Sequence, residues 1–383
     1  MPKPLVYFDN AATTRPADAA VSAAVDLCRE NFGNPSSPHE MGIKAEAVLK
    51  RCQKAVCGAL ASEGDVVFTS GATESNNLAV FGPLKSPLNQ RVITTRAEHP
   101  SVLECFNELA RRGYDVVFAP VDESGRARPE ELFGLITENT ALVSLCHVNG
   151  ETGAVNDIET IGPALKRLNG SLIFHVDAAQ SFCKLPIAAQ KCGIDLLSLS
   201  AHKFHGLKGC GALFVRKGLN LRPLLFGGKQ QKGLRSGTEN TPGIAAMTAA
   251  LELFAGETAE NLARVSAVRN HIANGLENFS GVHINSPGGG SPYILSVSFP
   301  GVPGEVMLHA LEERGIYVST GSACSSKKRK NPAQDAFGWP GEIRDSAIRL
   351  SFSVYNTADE AGYFLEEVKK ALAALRGGKY ENL

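Results

Sequence analysis

The chain has 383 residues, 43% of them hydrophobic and 20% charged, enough for two domains with separate cores. Thirty-nine basic residues balance 39 acidic ones, which argues against nucleic acid or an anionic membrane as a partner. No apolar run approaches the ~20 residues that span a bilayer. The N-terminus lacks signal-peptide organisation, and the nine cysteines form no C-x-x-C pair, so no metal site is expected and a cytoplasmic protein is.

From about residue 65, short apolar runs end in polar clusters and helical patterns follow. Val66-Val67-Phe68-Thr69 leads into Ser70-Gly71-Ala72-Thr73, and Arg91-Val92-Ile93-Thr94-Thr95 into Arg96-Ala97-Glu98-His99. Residues 141–145, 172–176 and 196–199 do the same before Cys146-His147-Val148-Asn149, Asp177-Ala178-Ala179-Gln180 and Ser200-Ala201-His202-Lys203. Residues 211–215 read as a further strand. Continuous apolar runs suit strands buried on both faces, so a mainly parallel sheet covered by helices is expected. Residues 244–251 and 262–276 are helical in pattern, and Pro287-Gly288-Gly289-Gly290 is a turn. Strand patterns at 293–299, 316–318 and 348–352, mixed with helical ones at 305–313 and 359–375, predict a smaller α+β domain.

In open α/β sheets, ligands bind beyond the carboxyl ends of the strands, where these polar clusters fall. Ser70-Gly71-Ala72-Thr73 opens a helix, whose free N–H groups and dipole attract phosphate. Lys203 follows a buried strand. A desolvated lysine is a good amine nucleophile toward an aldehyde. Asp177, at another strand end, could pair with a pyridinium nitrogen. The 26 residues from Asp177 to Lys203 leave room for one crossover helix between adjacent parallel strands. His99 could stack on a ring or move protons. Taken singly, each has an ordinary reading: a capped turn, a lysine reaching solvent, a helix N-cap, a structural histidine. Cys324 sits in Ser319-Thr320-Gly321-Ser322-Ala323-Cys324-Ser325-Ser326, and Lys327-Lys328-Arg329-Lys330 follows. Small residues and nearby positive charge suit a mobile, reactive thiolate better than a core cysteine.

These motifs closely resemble cysteine desulfurases of the NifS/IscS-like type, within the fold-type I pyridoxal-phosphate enzymes. The resemblance also covers residues 7–14 and 32–37, Arg235-Ser236-Gly237-Thr238 and Ile348-Arg349-Leu350-Ser351. It implies a large cofactor-binding domain at 14–257. A small domain at 1–13 and 258–383 would carry the mobile cysteine loop, about 319–333. Lys203 would hold pyridoxal 5'-phosphate covalently and move the α-proton. Asp177 would pair with the ring nitrogen, Gln180 would hydrogen-bond the ring hydroxyl, and His99 would lie over the ring. Ala72, Thr73, Ser200 and His202 would hold the phosphate, with Thr238 reaching the phosphate of the other subunit of a homodimer. Asn34 and Arg349 would bind the substrate carboxylate, a task suited to the guanidinium fork. L-cysteine would yield L-alanine, with the sulfur taken as a persulfide on Cys324 and passed to an acceptor, an iron–sulfur scaffold or a carrier for tRNA thiolation.

The family usually reads Asn-Asn-Glu where this chain has Asn149-Gly150-Glu151. The second Asn normally contacts the ring hydroxyl, which leaves Asn149 and Gln180 as candidates for that contact. The basic run after Cys324 and the chain's end at Leu383 leave the choice of acceptor open. A selenocysteine lyase, a C–S lyase or an aminotransferase of the same fold would not need Cys324. A non-catalytic sulfur-relay relative would not need Lys203 and Asp177.

Overall fold

The computed structural model describes residues 4–320 and 332–376. The chain enters through β1 (Val6–Tyr7), α1 (Asp18–Glu30) and α2 (Glu40–Ala59). The main sheet follows, with its helices: β2 (Gly64–Thr69), α3 (Ala72–Phe81), β3 (Arg91–Thr95), α4 (Pro100–Arg111), β4 (Asp115–Ala119), α5 (Pro129–Gly134), β5 (Thr140–Cys146), α6 (Ile158–Leu168), β6 (Ile173–Asp177), β7 (Leu196–Ser200) and β8 (Gly211–Arg216). The strands lie in the order β2-β8-β7-β6-β5-β3-β4, seven in all. Only β8 runs against its neighbours; the other neighbouring pairs are parallel. All five residues of β7 are buried, as the unbroken apolar run predicts. The edge strand β4 is missing from the sequence reading because its residues are mostly half-buried.

The predicted crossover helix between β6 and β7 is not there. The two strands are adjacent and parallel, but residues 178–195 wind through turns. Cys183 has φ +61 and Gly193 φ +61, values that stop a right-handed helix, and Pro186 supplies no N–H. Phe182, Ile187, Ala189, Cys192 and Ile194 from this stretch fill the main core instead.

Beyond the sheet come α7 (Thr241–Phe254), α8 (Thr258–Glu277), β9 (His283–Ile284), β10 (Ile294–Ser298), α9 (Gly304–Glu312), β11 (Ile316–Tyr317), α10 (Pro332–Ala336), α11 (Gly341–Asp345), β12 (Ala347–Ser351) and α12 (Ala358–Leu375). A capping box formed by Thr357 and Glu360 starts α12. β12, β10 and β9 form a second, antiparallel sheet. A second apolar cluster joins it to α8, α9 and α12, and takes in Val6 and Phe8 from the start of the chain. The Phe8 ring meets Phe352 edge-on at 5.3 Å and Phe364 at 5.9 Å. Burying it anchors the N-terminal segment, and removing a ring of this kind costs about 3–5 kcal/mol. From that anchor, residues 9–14 cross to the carboxyl ends of the main strands. Thr14 binds the His202 carbonyl through both its N–H and its hydroxyl.

Candidate active site

Asp177 ends β6 and is 5% exposed. Its Oδ2 accepts from Asn76 Nδ2 at 2.8 Å and its Oδ1 from the Ala179 N–H at 2.9 Å. Asn76 also donates to Ser101 Oγ at 2.8 Å, and Ser101 meets His99 Nδ1 at 2.8 Å. A chain of polar contacts thus joins α3, α4 and β6. His99 caps α4 by accepting from the Ser101 N–H, with Pro100 at the first helical position. Its ring stays open to solvent on one side, yet burial by the surrounding protein lowers its pKa, with Asp177 opposing. Two residues back along β6, His175 lies between Ser144 at 2.8 Å and Ser198 at 2.9 Å. Burial pushes its pKa down to about 4, so a neutral ring supports the strand that carries Asp177.

Lys203 ends the short 3-10 turn after β7. Its Nζ donates to the carbonyls of Ala11, at 2.5 Å, and Ala12, at 2.9 Å. Among the described residues it has no salt-bridge partner. Burial, then the Arg349 guanidinium, brings its pKa down to about 8; Asp177 and Asp9 oppose this. Amine character is therefore available near neutral pH, as an aldehyde-reactive lysine requires. Gln180 donates from Nε2 to the same Ala11 carbonyl at 2.9 Å.

Arg349 projects from β12. Its Nη1 donates to the Gly150 carbonyl at 2.8 Å, and its Nη2 lies 3.3 Å from Asp9 Oδ1. Its buried Nε has no hydrogen-bond partner among the described residues. Burial raises the pKa of Asp9, with Arg349 opposing. Asn149 is 1% exposed and committed to its own turn: Oδ1 accepts from the N–H groups of Glu151 and Thr152, and Nδ2 donates to the Ala97 carbonyl. A Cβ on Gly150 would sit 3.8 Å from the Gln180 side chain, an ordinary contact, and its φ is not positive. Asn34 is exposed, and its side chain turns back to the Ser36 N–H at 2.9 Å.

The remaining predicted residues lie at the ends of β2 and β7. Gly71 adopts φ +151, a conformation reserved for glycine, and opens α3. A Cβ on Gly71 would come within 3.4 Å of Ser200 Oγ, and one on Gly211 would meet the Gly71 Cα at 2.6 Å. Both glycines hold the turn of α3 close against the end of β7. The first N–H groups of a helix, here at Ala72 and Thr73, have no intrahelical acceptor. His202 Nδ1 contacts Thr13 Oγ1 at 3.1 Å, and burial followed by Lys203 lowers its pKa to about 4. Arg235 pairs with Glu74 at 2.9 Å and fixes the loop on which Thr238 is exposed. Cys324 lies outside the described residues.

An aldehyde-bearing pyridine with a phosphate arm fits this donor set. The amine with lowered pKa, the buried carboxylate and the glycine cradle at a helix start share one sheet edge. The sequence reading gave no role to Asn76 or to the carbonyls of Ala11 and Ala12; these residues had entered it only through the resemblance.

These features define an α/β enzyme of the pyridoxal-phosphate fold-type I class. The aminotransferase class-V family model matches residues 6–364. "Cysteine desulfurase IscS" of Methanosarcina thermophila is 39% identical over 97% of this chain and 93% of its own length. A solved "NIFS-LIKE PROTEIN" superposes with a TM-score of 0.89 at 38% identity, covering 97% of this chain and 100% of that one. "SspA in complex with cysteine" gives a TM-score of 0.80 at 32% identity, over 92% and 100%. The chain belongs to the aminotransferase class-V family, in its NifS/IscS-like cysteine desulfurase branch.

Proposed function

We propose that this protein removes sulfur from L-cysteine at the site around Lys203, releasing L-alanine. The observation that carries the reading is the amine of Lys203, with its pKa lowered to about 8, in a site with Asp177 and Arg349. Bound pyridoxal phosphate supplies an electron sink for the bond pair left by the α-proton. Lys203 would hold the cofactor through its aldehyde and, when free, would take the α-proton on Nζ. Asp177, oriented by Asn76 and the Ala179 N–H, keeps a proton on the ring nitrogen. Gln180 would donate to the ring oxygen, and His99 would lie beside the ring. Ala72, Thr73, Ser200 and His202 would hold the phosphate, and Thr238 would reach across a homodimer to the partner's phosphate. Arg349 and Asn34 bind the substrate carboxylate; the guanidinium exchanges its Asp9 contact for a two-point fork.

The Cys324 thiolate attacks the substrate sulfur. The S–S bond forms as the carbon–sulfur bond breaks, and the carbon keeps the bond pair and is protonated to alanine. The persulfide then passes to an acceptor such as an iron–sulfur scaffold or a carrier for tRNA thiolation. The two apolar cores support the division into 14–257 and 1–13 with 258–383. Eight described cysteines are free thiols, which suits the reducing cytoplasm. No described helix is long and apolar enough to cross a membrane.

Cys324→Ser tests the reading. The variant is expected to keep the visible absorption of the lysine-bound cofactor and to lose sulfide release under reductant. Normal sulfide release would remove Cys324 from the reaction.

A further inference from the structure

Lys184 is a lysine only 5% exposed, in the turns between β6 and β7. Burying an ammonium group is costly unless a partner compensates. Among the described residues Lys184 has no salt bridge. Its ammonium lies 5.5 Å from the Tyr293 ring centroid, and its Nζ donates to Gln180 Oε1 at 3.4 Å. Lys184, Lys203 and Tyr293 line one small cavity of about 10 Å³. That is room for about one water, too little to hydrate an ammonium. The carboxamide of Gln180 is therefore its chief polar partner.

A carboxamide has two unlike ends: the oxygen only accepts and the nitrogen only donates. An ammonium has donors alone, so it settles which end faces it. With Oε1 turned to Lys184, Nε2 points the other way, to the Ala11 carbonyl that also receives Lys203. Burial, then the charge of Lys203, lowers the pKa of Lys184 to about 7, so at neutral pH the ammonium and the amine are both populated, and either form can donate to Oε1.

We propose that Lys184 is a positioning residue: it clamps the carboxamide oxygen of Gln180 so that the N–H₂ group faces the ring oxygen of the cofactor held at Lys203. This rests on the role given to Gln180 in the proposed function. Without the clamp only the Ala11 carbonyl, which Lys203 shares, orients the amide, and an amide that turned over would set its own oxygen against the ring oxygen, two acceptors facing each other.

The test loads Gln180→Leu, Lys184→Met, Lys184→Arg and the Gln180→Leu/Lys184→Met double variant with pyridoxal phosphate. The visible band is followed across pH, cofactor retention is measured at equilibrium, and thermal midpoints are recorded. Gln180→Leu is expected to shift the band's pH midpoint and to weaken retention about tenfold, the scale of one hydrogen bond to a charged oxygen. Lys184→Met reproduces that shift in the same direction, and adding it to Gln180→Leu changes the band no further. Lys184→Arg, which keeps the donors, retains the native band. Should Lys184→Met fail to fold, Lys184→Leu takes its place, since it too removes every donor.

A lower thermal midpoint with an unmoved band in Lys184→Met, beside a responsive Gln180→Leu, overturns the clamp. So do additive shifts in the double variant. If Gln180→Leu itself leaves the band unchanged, the ring role of Gln180 fails, and the clamp falls with it.

Discussion

The two ends of β7 handle charge in opposite ways. At its start, Asp195 is fully buried, and its carboxylate pairs with Lys166 and with Arg216 at 2.6 Å and accepts from the Phe174 N–H at 2.7 Å. Both carboxylate oxygens have donors, and the cluster locks β6, β7 and β8 to α6. At its other end Lys203 rests on two backbone carbonyls, and no described carboxylate pairs with it. One end of the strand cancels its charge and the other keeps an amine exchangeable. The difference separates a structural ion cluster from a reactive site more clearly than burial does, since both ends are enclosed.

Substitutions at the two ends sharpen this contrast. Lys203→Ala carries the largest expected effect. It should remove the visible absorption of the lysine-bound cofactor and lower turnover by about 10³-fold or more, the scale of a lost acid–base group; an unchanged spectrum would refute the lysine assignment. Asp195→Asn comes next. It should cost roughly 2–3 kcal/mol in urea unfolding, at or just below the low end for a broken buried pair because Lys166 and Arg216 still reach water. The band should stay native, and a lost band with intact stability would erase the contrast. Arg349→Ala should weaken the apparent affinity for L-cysteine by about 2 kcal/mol, some ~30-fold, as for a lost hydrogen bond to a charged group. Unaltered half-saturation would take Arg349 out of the site. Gly150→Asn should change the thermal midpoint least, within about 0.5 kcal/mol, because a Cβ there meets nothing closer than 3.8 Å. A misfolded product would show that the turn needs glycine.

The start of β7 and its end were not equally legible in the sequence. Ser200, His202 and Lys203 stand out because polar residues abruptly follow a run with no polar face. Asp177 stands out for the same reason at the end of β6. Lys184, in Cys183-Lys184-Leu185, reads as an ordinary surface lysine. Its burial comes from the left-handed turn at Cys183 and the packing of Tyr293, which lies 109 residues away (293 − 184). The crossover between β6 and β7 was expected as a helix from its length alone; residues with special backbone angles decided otherwise. The pairing of Asp9 with Arg349 is invisible for a related reason. Its position beside Arg349 depends on Phe8 reaching the second core, a contact between the two ends of the chain. Local pattern records which residues end a strand, but not which distant segment comes to meet them.

The most direct measurement incubates the loaded enzyme with L-cysteine and no reductant in a single turnover, counting alanine, pyruvate and sulfur bound to Cys324 together. One alanine for each sulfur held on Cys324, with no pyruvate, is the expected result. Pyruvate in place of alanine, with Cys324 unmodified, would make the protein a lyase and contradict the account.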